Sequence, residues 1–262
     1  MRKTGEILEY QGMQNKISIG NDAVSYEEFG SGKEVVILLP SLWVTSKSYR
    51  TLGKELSSKY RVLIPDLYKG KSSFSKSARS LSDYAQALNL FTETLGLSGF
   101  YLLGISFSGL VSVKYSQLYP QRVKRLFLAS TLTVPIEIKN RKLILFWGYL
   151  KLLFRNCFSL SGIRANVLWF VDGLTYFLRH PKQFFLESLV ATNGYDNKFS
   201  EMTVPTKLVF ALKDEFINVA YLENMKSIGN VEIETVDGYH AWFFYKEKVF
   251  ADKVLGFLRS SL

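Results

Sequence analysis

The residues best suited to chemistry sit together in Tyr101-Leu102-Leu103-Gly104-Ile105-Ser106-Phe107-Ser108-Gly109. An apolar, strand-like run meets a serine and passes at once into a segment with helical spacing. A bend this tight leaves little room for side chains two positions before and two after the serine, where Gly104 and Ser108 stand. It would hold the Ser106 hydroxyl exposed at the end of the strand. Ser108 is the competing nucleophile, but that choice puts Leu110 where a small residue is required. An ordinary strand-to-helix turn with incidental serines is the bland alternative. If the hydroxyl is to attack an acyl carbon at neutral pH, an imidazole must take its proton and later deliver it to the leaving group. A buried carboxylate must then fix the imidazole's tautomer. The sequence offers two imidazoles, His180 and His240.

The elements that would position these groups are legible as short, continuous apolar runs: Val35 to Leu39, Val62 to Ile64, Tyr101 to Leu103, Leu126 to Ala129 and Leu208 to Ala211. Continuous rather than alternating hydrophobicity predicts strands buried on both faces, as in a parallel sheet. Helical segments are expected between them at Ser46 to Ser58, Ser80 to Leu97 and Phe107 to Tyr119. In the second, Leu81, Tyr84, Leu88, Phe91 and Leu95 recur at spacings of three and four, and Ser80 with Asp83 reads as a helix start. Strand and helix in alternation predict an α/β architecture. The alternation breaks after Thr131. From Leu132 to about Met202 the spacing is helical and 13 of the 39 aromatic residues gather there, so a helical insertion between two core strands is expected. A strand at Lys207 to Ala211, a helix near Val219 to Ile228, a strand at Val231 to Val236 and a terminal helix from Tyr245 to Leu258 complete the pattern.

Composition narrows the function. A chain of 262 residues, 47% hydrophobic and 21% charged, can bury a sizeable core. Its longest uncharged apolar stretch, Leu143 to Leu150, is far short of the roughly 20 residues of a membrane span, so no transmembrane segment is expected. The first residues carry no apolar block of the secretory kind, and a cytoplasmic location is the corresponding expectation. One cysteine, Cys157, and two histidines leave no basis for paired thiolates or a zinc site; neither metal nor cofactor is expected. The net charge of +10 is spread as +7 over residues 1–131, +4 over 132–202 and −1 over 203–262, without a basic run. A nucleic-acid partner is not expected, whereas an anionic substrate or acidic protein partner would be attracted.

The bend around Ser106 resembles that of the α/β-hydrolase superfamily, and the resemblance extends from about Ile17 to Leu262. Pro65-Asp66-Leu67-Tyr68-Lys69-Gly70-Lys71-Ser72-Ser73 resembles the loop after that family's fourth strand, and Tyr119 to Leu126 resembles the turn into its sixth. The resemblance implies an α/β-hydrolase fold: a mostly parallel central sheet flanked by helices, with a helical cap inserted after the sixth strand. The core would comprise residues 1–132 and 203–262, the cap residues 133–202. The family's order is nucleophile, acid, histidine. It implies Asp214 as the acid, in Ala211-Leu212-Lys213-Asp214, with Glu215 as its neighbour and alternative. His240, in Asp237-Gly238-Tyr239-His240, is the implied base in preference to His180, which sits in the insertion between Arg179 and Lys182. Asp66, Asp172, Asp196 and Asp237 are then loop or capping carboxylates. Backbone N–H groups of Phe107 and Leu42 are the implied oxyanion-hole donors, with Trp43 as runner-up for the second. Pro40 and Ser41 stand where relatives commonly carry histidine and glycine, and Ser108 where they commonly carry glycine.

The same resemblance sets the expected reaction. Dehalogenases and epoxide hydrolases of this fold carry aspartate at the bend, where this chain has Ser106. Acyl transfer to water is left, on carboxylic esters or thioesters with a small or medium apolar acyl group. The insertion is either a small helical core or one wall of an acyl pocket, with Trp43, Trp147, Trp169 and Trp242 as expected lining residues. An acidic acyl-carrier protein bearing the substrate is a second expectation. A ligand-binding homologue with negligible turnover is a third.

Overall fold

In the computed structural model the described residues are 12–19, 22–67, 80–131, 147–148, 150–151, 153–154, 157–158, 160–193, 201–217 and 230–260. They build an eight-stranded sheet from β1 (Met13–Ile19), β2 (Asp22–Phe29), β3 (Val35–Leu39), β4 (Arg61–Pro65), β5 (Phe100–Ile105), β6 (Val123–Ala129), β7 (Thr206–Ala211) and β8 (Val231–Val236). Their spatial order is β1-β2-β4-β3-β5-β6-β7-β8. The pairs β1/β2 and β2/β4 are antiparallel and every later pair is parallel.

The continuous apolar runs are the two-faced core strands. Along β3, Val35, Ile37 and Leu39 point into one hydrophobic cluster, while Val36 and Leu38 point into the other. The first cluster is closed by α2 (Leu81–Thr94) and α3 (Phe107–Leu118), which pack on each other. The second is closed by α1 (Arg50–Ser57) and the C-terminal α7 (Glu247–Arg259). Ser80 caps α2 as the sequence indicates: its hydroxyl accepts from the Asp83 N–H, and the Asp83 carboxylate accepts from the Ser80 N–H.

Three expectations need amendment. The β1/β2 hairpin was not foreseen, because MQNKISI and DAVSYEEF are mixed polar sequences on the open edge of the sheet, where one face stays wet. The segment from Ser46 begins as a 3₁₀ turn, Ser46–Tyr49, before α1. The C-terminal helix is preceded by a separate turn, α6 (Trp242–Tyr245). The helices α4 (Leu160–Arg179) and α5 (Pro181–Asn193) are inserted between β6 and β7. The helix expected near Val219 to Ile228, residues 68–73 of the Pro65 loop, and Asp196 lie outside the described residues.

Strand order decides where a site can form. From β3 the chain steps outward to β4 on one side and later crosses to β5 on the other, so loops after β3 and β5 diverge and leave a crevice at their carboxyl ends. Backbone strain collects at that edge. Among the described residues the non-glycine residues with positive φ are Trp43 (61°), Ser106 (54°) and Ser130 (47°), which follow β3, β5 and β6 respectively.

Candidate active site

Ser106 is the residue between β5 and α3. Its φ of 54° and ψ of −122° lie where side chains other than glycine are rarely found. The conformation is held from both sides, by the Ser106 N–H donating to the Ala129 carbonyl at 2.9 Å and the Gly109 N–H donating to the Ser106 carbonyl at 3.0 Å. The steric demand extends beyond the two positions foreseen. A Cβ on Gly104 would stand 2.6 Å from the Gly109 Cα, and a Cβ on Gly109 would stand 1.9 Å from Thr131 Oγ1. Gly104→Ala should therefore cost about 1–3 kcal/mol of stability, since backbone, not a flexible side chain, must give way. A urea-denaturation midpoint unchanged from the parent would contradict this account of the bend.

Ser108 is fully buried and is not a competing nucleophile. Its Oγ accepts from the Ile105 N–H at 2.8 Å and donates to the Leu39 carbonyl, 2.7 Å away. A glycine at this position would leave both backbone groups to other partners. The serine instead ties the bend to the end of β3, next to Pro40, Ser41 and Leu42.

The carboxyl ends of β7 and β8 bring two more groups to Ser106. His240 Nε2 lies 2.9 Å from Ser106 Oγ, and its Nδ1 lies 2.9 and 3.0 Å from the two Asp214 oxygens. Asp214 is held in turn: its Oδ1 accepts from the N–H groups of Phe216 at 2.9 Å and Ile217 at 3.0 Å. The Asp214 side chain has no exposed surface. Phe216 stands edge-on to the imidazole, with centroids 4.7 Å apart. Glu215 plays a different part from Asp214. Its Oε2 accepts from the His240 backbone N–H at 2.9 Å, so it fixes the loop rather than the ring.

Electrostatics follow from that packing. Burial alone would lower the His240 pKa by disfavouring the imidazolium. The charge and hydrogen bond of Asp214, joined by the charge of Glu215, outweigh it, so the pKa stands above the ordinary 6.5. Burial likewise raises the Glu215 carboxyl, against the N–H groups and the His240 charge that stabilise its anion.

The other residues singled out from sequence are distributed as follows. Phe107 opens α3 beside the bend, and Leu42 is buried in the loop after β3. Trp43, next to it, stacks on Phe184 of α5 at 4.2 Å and lies 6.1 Å from Trp169 of α4, so the inserted helices meet the core directly over the loop after β3. The contact is reinforced by Asp172 of α4, whose Oδ2 accepts from the Thr45 N–H and hydroxyl at 2.8 Å and the Ser48 hydroxyl at 3.1 Å. Asp66 similarly accepts from the Ser46 N–H and hydroxyl, and Asp237 pairs with Lys213 on the surface. Both are structural carboxylates. His180 follows α4 directly, its N–H donating to the Tyr176 carbonyl and its ring against the Tyr176 ring. Trp147 is about half exposed. Trp242 corrects the expectation for it: with no exposed surface, packed on Phe250 and donating its indole N–H to Ser130 Oγ, it is a core residue and cannot line a cavity. Phe216 was the neighbour missed, for an aromatic two residues past an acid carries no pattern of its own. Among the described residues no group of histidine, cysteine, aspartate and glutamate could hold a metal ion.

Comparison with known proteins agrees with this architecture. The alpha/beta hydrolase fold family matches residues 34–169. A 2-hydroxy-6-oxononadienedioate/2-hydroxy-6-oxononatrienedioate hydrolase of Paraburkholderia phymatum is 33% identical over 74% of this chain and 75% of its own. Among solved structures, a serine hydrolase involved in carbazole degradation superposes with a TM-score of 0.76 at 18% identity, covering 95% of this chain and 99% of that one. A thermophilic esterase from Thermogutta terrifontis gives 0.72 at 18% identity, over 94% and 98%. The chain belongs to the alpha/beta hydrolase family and is a hydrolase.

Proposed function

We propose that the protein hydrolyses carboxylic esters, thioesters included, of a small or medium apolar acyl group through an acyl-enzyme on Ser106. The observation that carries this reading is the unbroken chain of contacts from Ser106 Oγ through His240 to Asp214, at a strained bend. His240 takes the serine proton as Oγ bonds to the acyl carbon, and returns it to the leaving oxygen or sulfur as that bond breaks. Water then attacks the acyl-enzyme with the same imidazole as base, releasing the acid and restoring the hydroxyl. Negative charge on the acyl oxygen is assigned to the N–H groups of Phe107 and Leu42. Phe216, edge-on to the imidazole, gives the reacting groups an apolar neighbour that suits an uncharged acyl chain. Residues 133–202 serve as the cap.

A second reading is favoured by the Paraburkholderia relative, whose named substrate contains a ketone and carboxylates but no ester, so that its hydrolysis cuts a bond beside a ketone. The same serine and imidazole would serve that reaction, with the imidazole again carrying the proton.

A fluorophosphonate probe should label Ser106, and nitrophenyl esters of short to medium chain should turn over faster than a 2-hydroxy-6-oxo dienedioate. For the favoured ester, kcat/KM should fall tenfold per pH unit below an apparent pKa above 6.5, because only the neutral imidazole accepts the proton. Folded protein that neither takes the probe nor turns over any ester would overturn the proposal in favour of a binding protein. Faster turnover of the dienedioate would move it to the second reading.

A further inference from the structure

The inserted helices carry an apolar face that the core does not use. On α4, Leu160, Ile163, Val167, Phe170, Leu174 and Leu178 recur at spacings of three and four and are all exposed, Leu160 by 88%, Phe170 by 57% and Leu178 by 69%. The opposite side of the same helix supplies Trp169, Asp172 and Tyr176 to the contacts with the loop after β3 and with α5. Thus α4 is apolar on two faces, and only one is covered. Phe185 and Leu189 of α5 extend the exposed surface.

Charge on the insertion is one-sided. The acids of α4 and α5 point inward: Asp172 is tied to Thr45 and Ser48, and Glu187, fully buried, accepts from the Tyr84 and Tyr176 hydroxyls, while the exposed Glu201 lies beyond both helices. The cations Lys151, Arg179 and Lys182 are exposed, as is Arg164, which lies near Glu247 of α7. Arg179 and Lys182 flank the α4/α5 corner directly after Leu178. Two copies laid face to face through α4 would bring like charges together with no exposed acid from these helices to meet them. The stripe itself is leucine, isoleucine, valine and phenylalanine, whereas protein-binding hot spots favour tryptophan, tyrosine and arginine. An apolar helical face flanked by cations is the signature of a helix that lies in a lipid interface. No helix among the described residues is long and apolar enough to cross a membrane.

We propose that the exposed face of α4, with Arg179 and Lys182 at its end, docks the protein on an anionic phospholipid surface. The aliphatic and phenylalanine side chains would enter the boundary between headgroups and acyl chains, and the cations would meet the phosphates. Docking rests on this surface alone and is independent of the serine chemistry.

The test is co-sedimentation with vesicles of equal parts phosphatidylglycerol and phosphatidylcholine, against pure phosphatidylcholine. The parent protein should pellet with the anionic vesicles, and less so as salt rises. Val167→Asp with Phe170→Asp should weaken partitioning about tenfold or more, and so, separately, should Arg179→Glu with Lys182→Glu. Far-UV circular dichroism and the urea midpoint establish that each pair is folded; if the first is not, the second decides. Absence of binding by the parent overturns the proposal, as does binding that survives both pairs. A dimer by light scattering that the Val167/Phe170 pair dissolves, without vesicle binding, assigns the face to a second copy. Saturable binding of an acidic acyl-carrier protein in place of vesicles assigns it to a protein.

Discussion

Ser106→Ala should lose about 10⁴- to 10⁶-fold in kcat on the favoured ester while keeping its urea midpoint within error of the parent. The two halves of that expectation have separate causes. Removal of the hydroxyl ends covalent catalysis, because it takes away the oxygen that faces His240 Nε2. Stability is preserved because alanine inherits the same strained backbone, and the group that loses its partner, His240 Nε2, belongs to a ring still held by Asp214 at Nδ1. Ser108→Ala should behave in the opposite sense. It leaves the Ile105 N–H and the Leu39 carbonyl without the hydroxyl that joins them, at a cost of about 1–3 kcal/mol, yet removes nothing that touches substrate. If Ser108→Ala abolished turnover in folded protein while Ser106→Ala kept it, the nucleophile would be misassigned. A third substitution reads the strain itself. Ser106→Gly is equally inert, but should be more stable than Ser106→Ala, since glycine accepts a φ of 54° at little cost.

The inner parallel strands were legible because they are buried on both faces: Val35 to Leu39 coincides with β3, and Lys207 to Ala211 falls within β7. The β1/β2 hairpin was not, for its hydrophobicity has neither a continuous nor a cleanly alternating period. Ser106 was picked out by the bend, and Asp214 and His240 by the order that the resemblance to the α/β-hydrolase superfamily implies; the structure brings the three together across 134 residues of sequence. What type and position cannot tell is burial. Trp242 looked like a lining residue by its place near His240, yet its neighbours on α7 enclose it. Nor could sequence separate Asp214 from Glu215, two adjacent acids after one strand. The turn decides, by pointing Asp214 at the imidazole ring and Glu215 at the backbone N–H of the same residue.

That division of labour yields a prediction with two unequal arms. Asp214→Asn preserves shape and can still accept from the Phe216 and Ile217 N–H groups, but its amide presents N–H to an imidazole nitrogen that must itself donate. The ring then settles in the wrong tautomer, with Nε2 protonated and unable to take the serine proton, and kcat should fall about 10⁴-fold. Glu215→Gln is a gentler change. The amide oxygen still accepts from the His240 N–H, so the plateau rate should stay within about tenfold of the parent, in line with the loss of a single hydrogen bond's charge assistance. Its signature lies instead in pH. Glu215 is one of the charges that raise the His240 pKa, so neutralising it should move the acid limb of kcat/KM to lower pH. The direction follows from the proton balance: with less negative charge beside it, the imidazolium gives up its proton sooner as pH rises. A plateau loss in Glu215→Gln larger than that in Asp214→Asn would exchange the two assignments. An acid limb that moved to higher pH would remove Glu215 from the electrostatics of the base altogether.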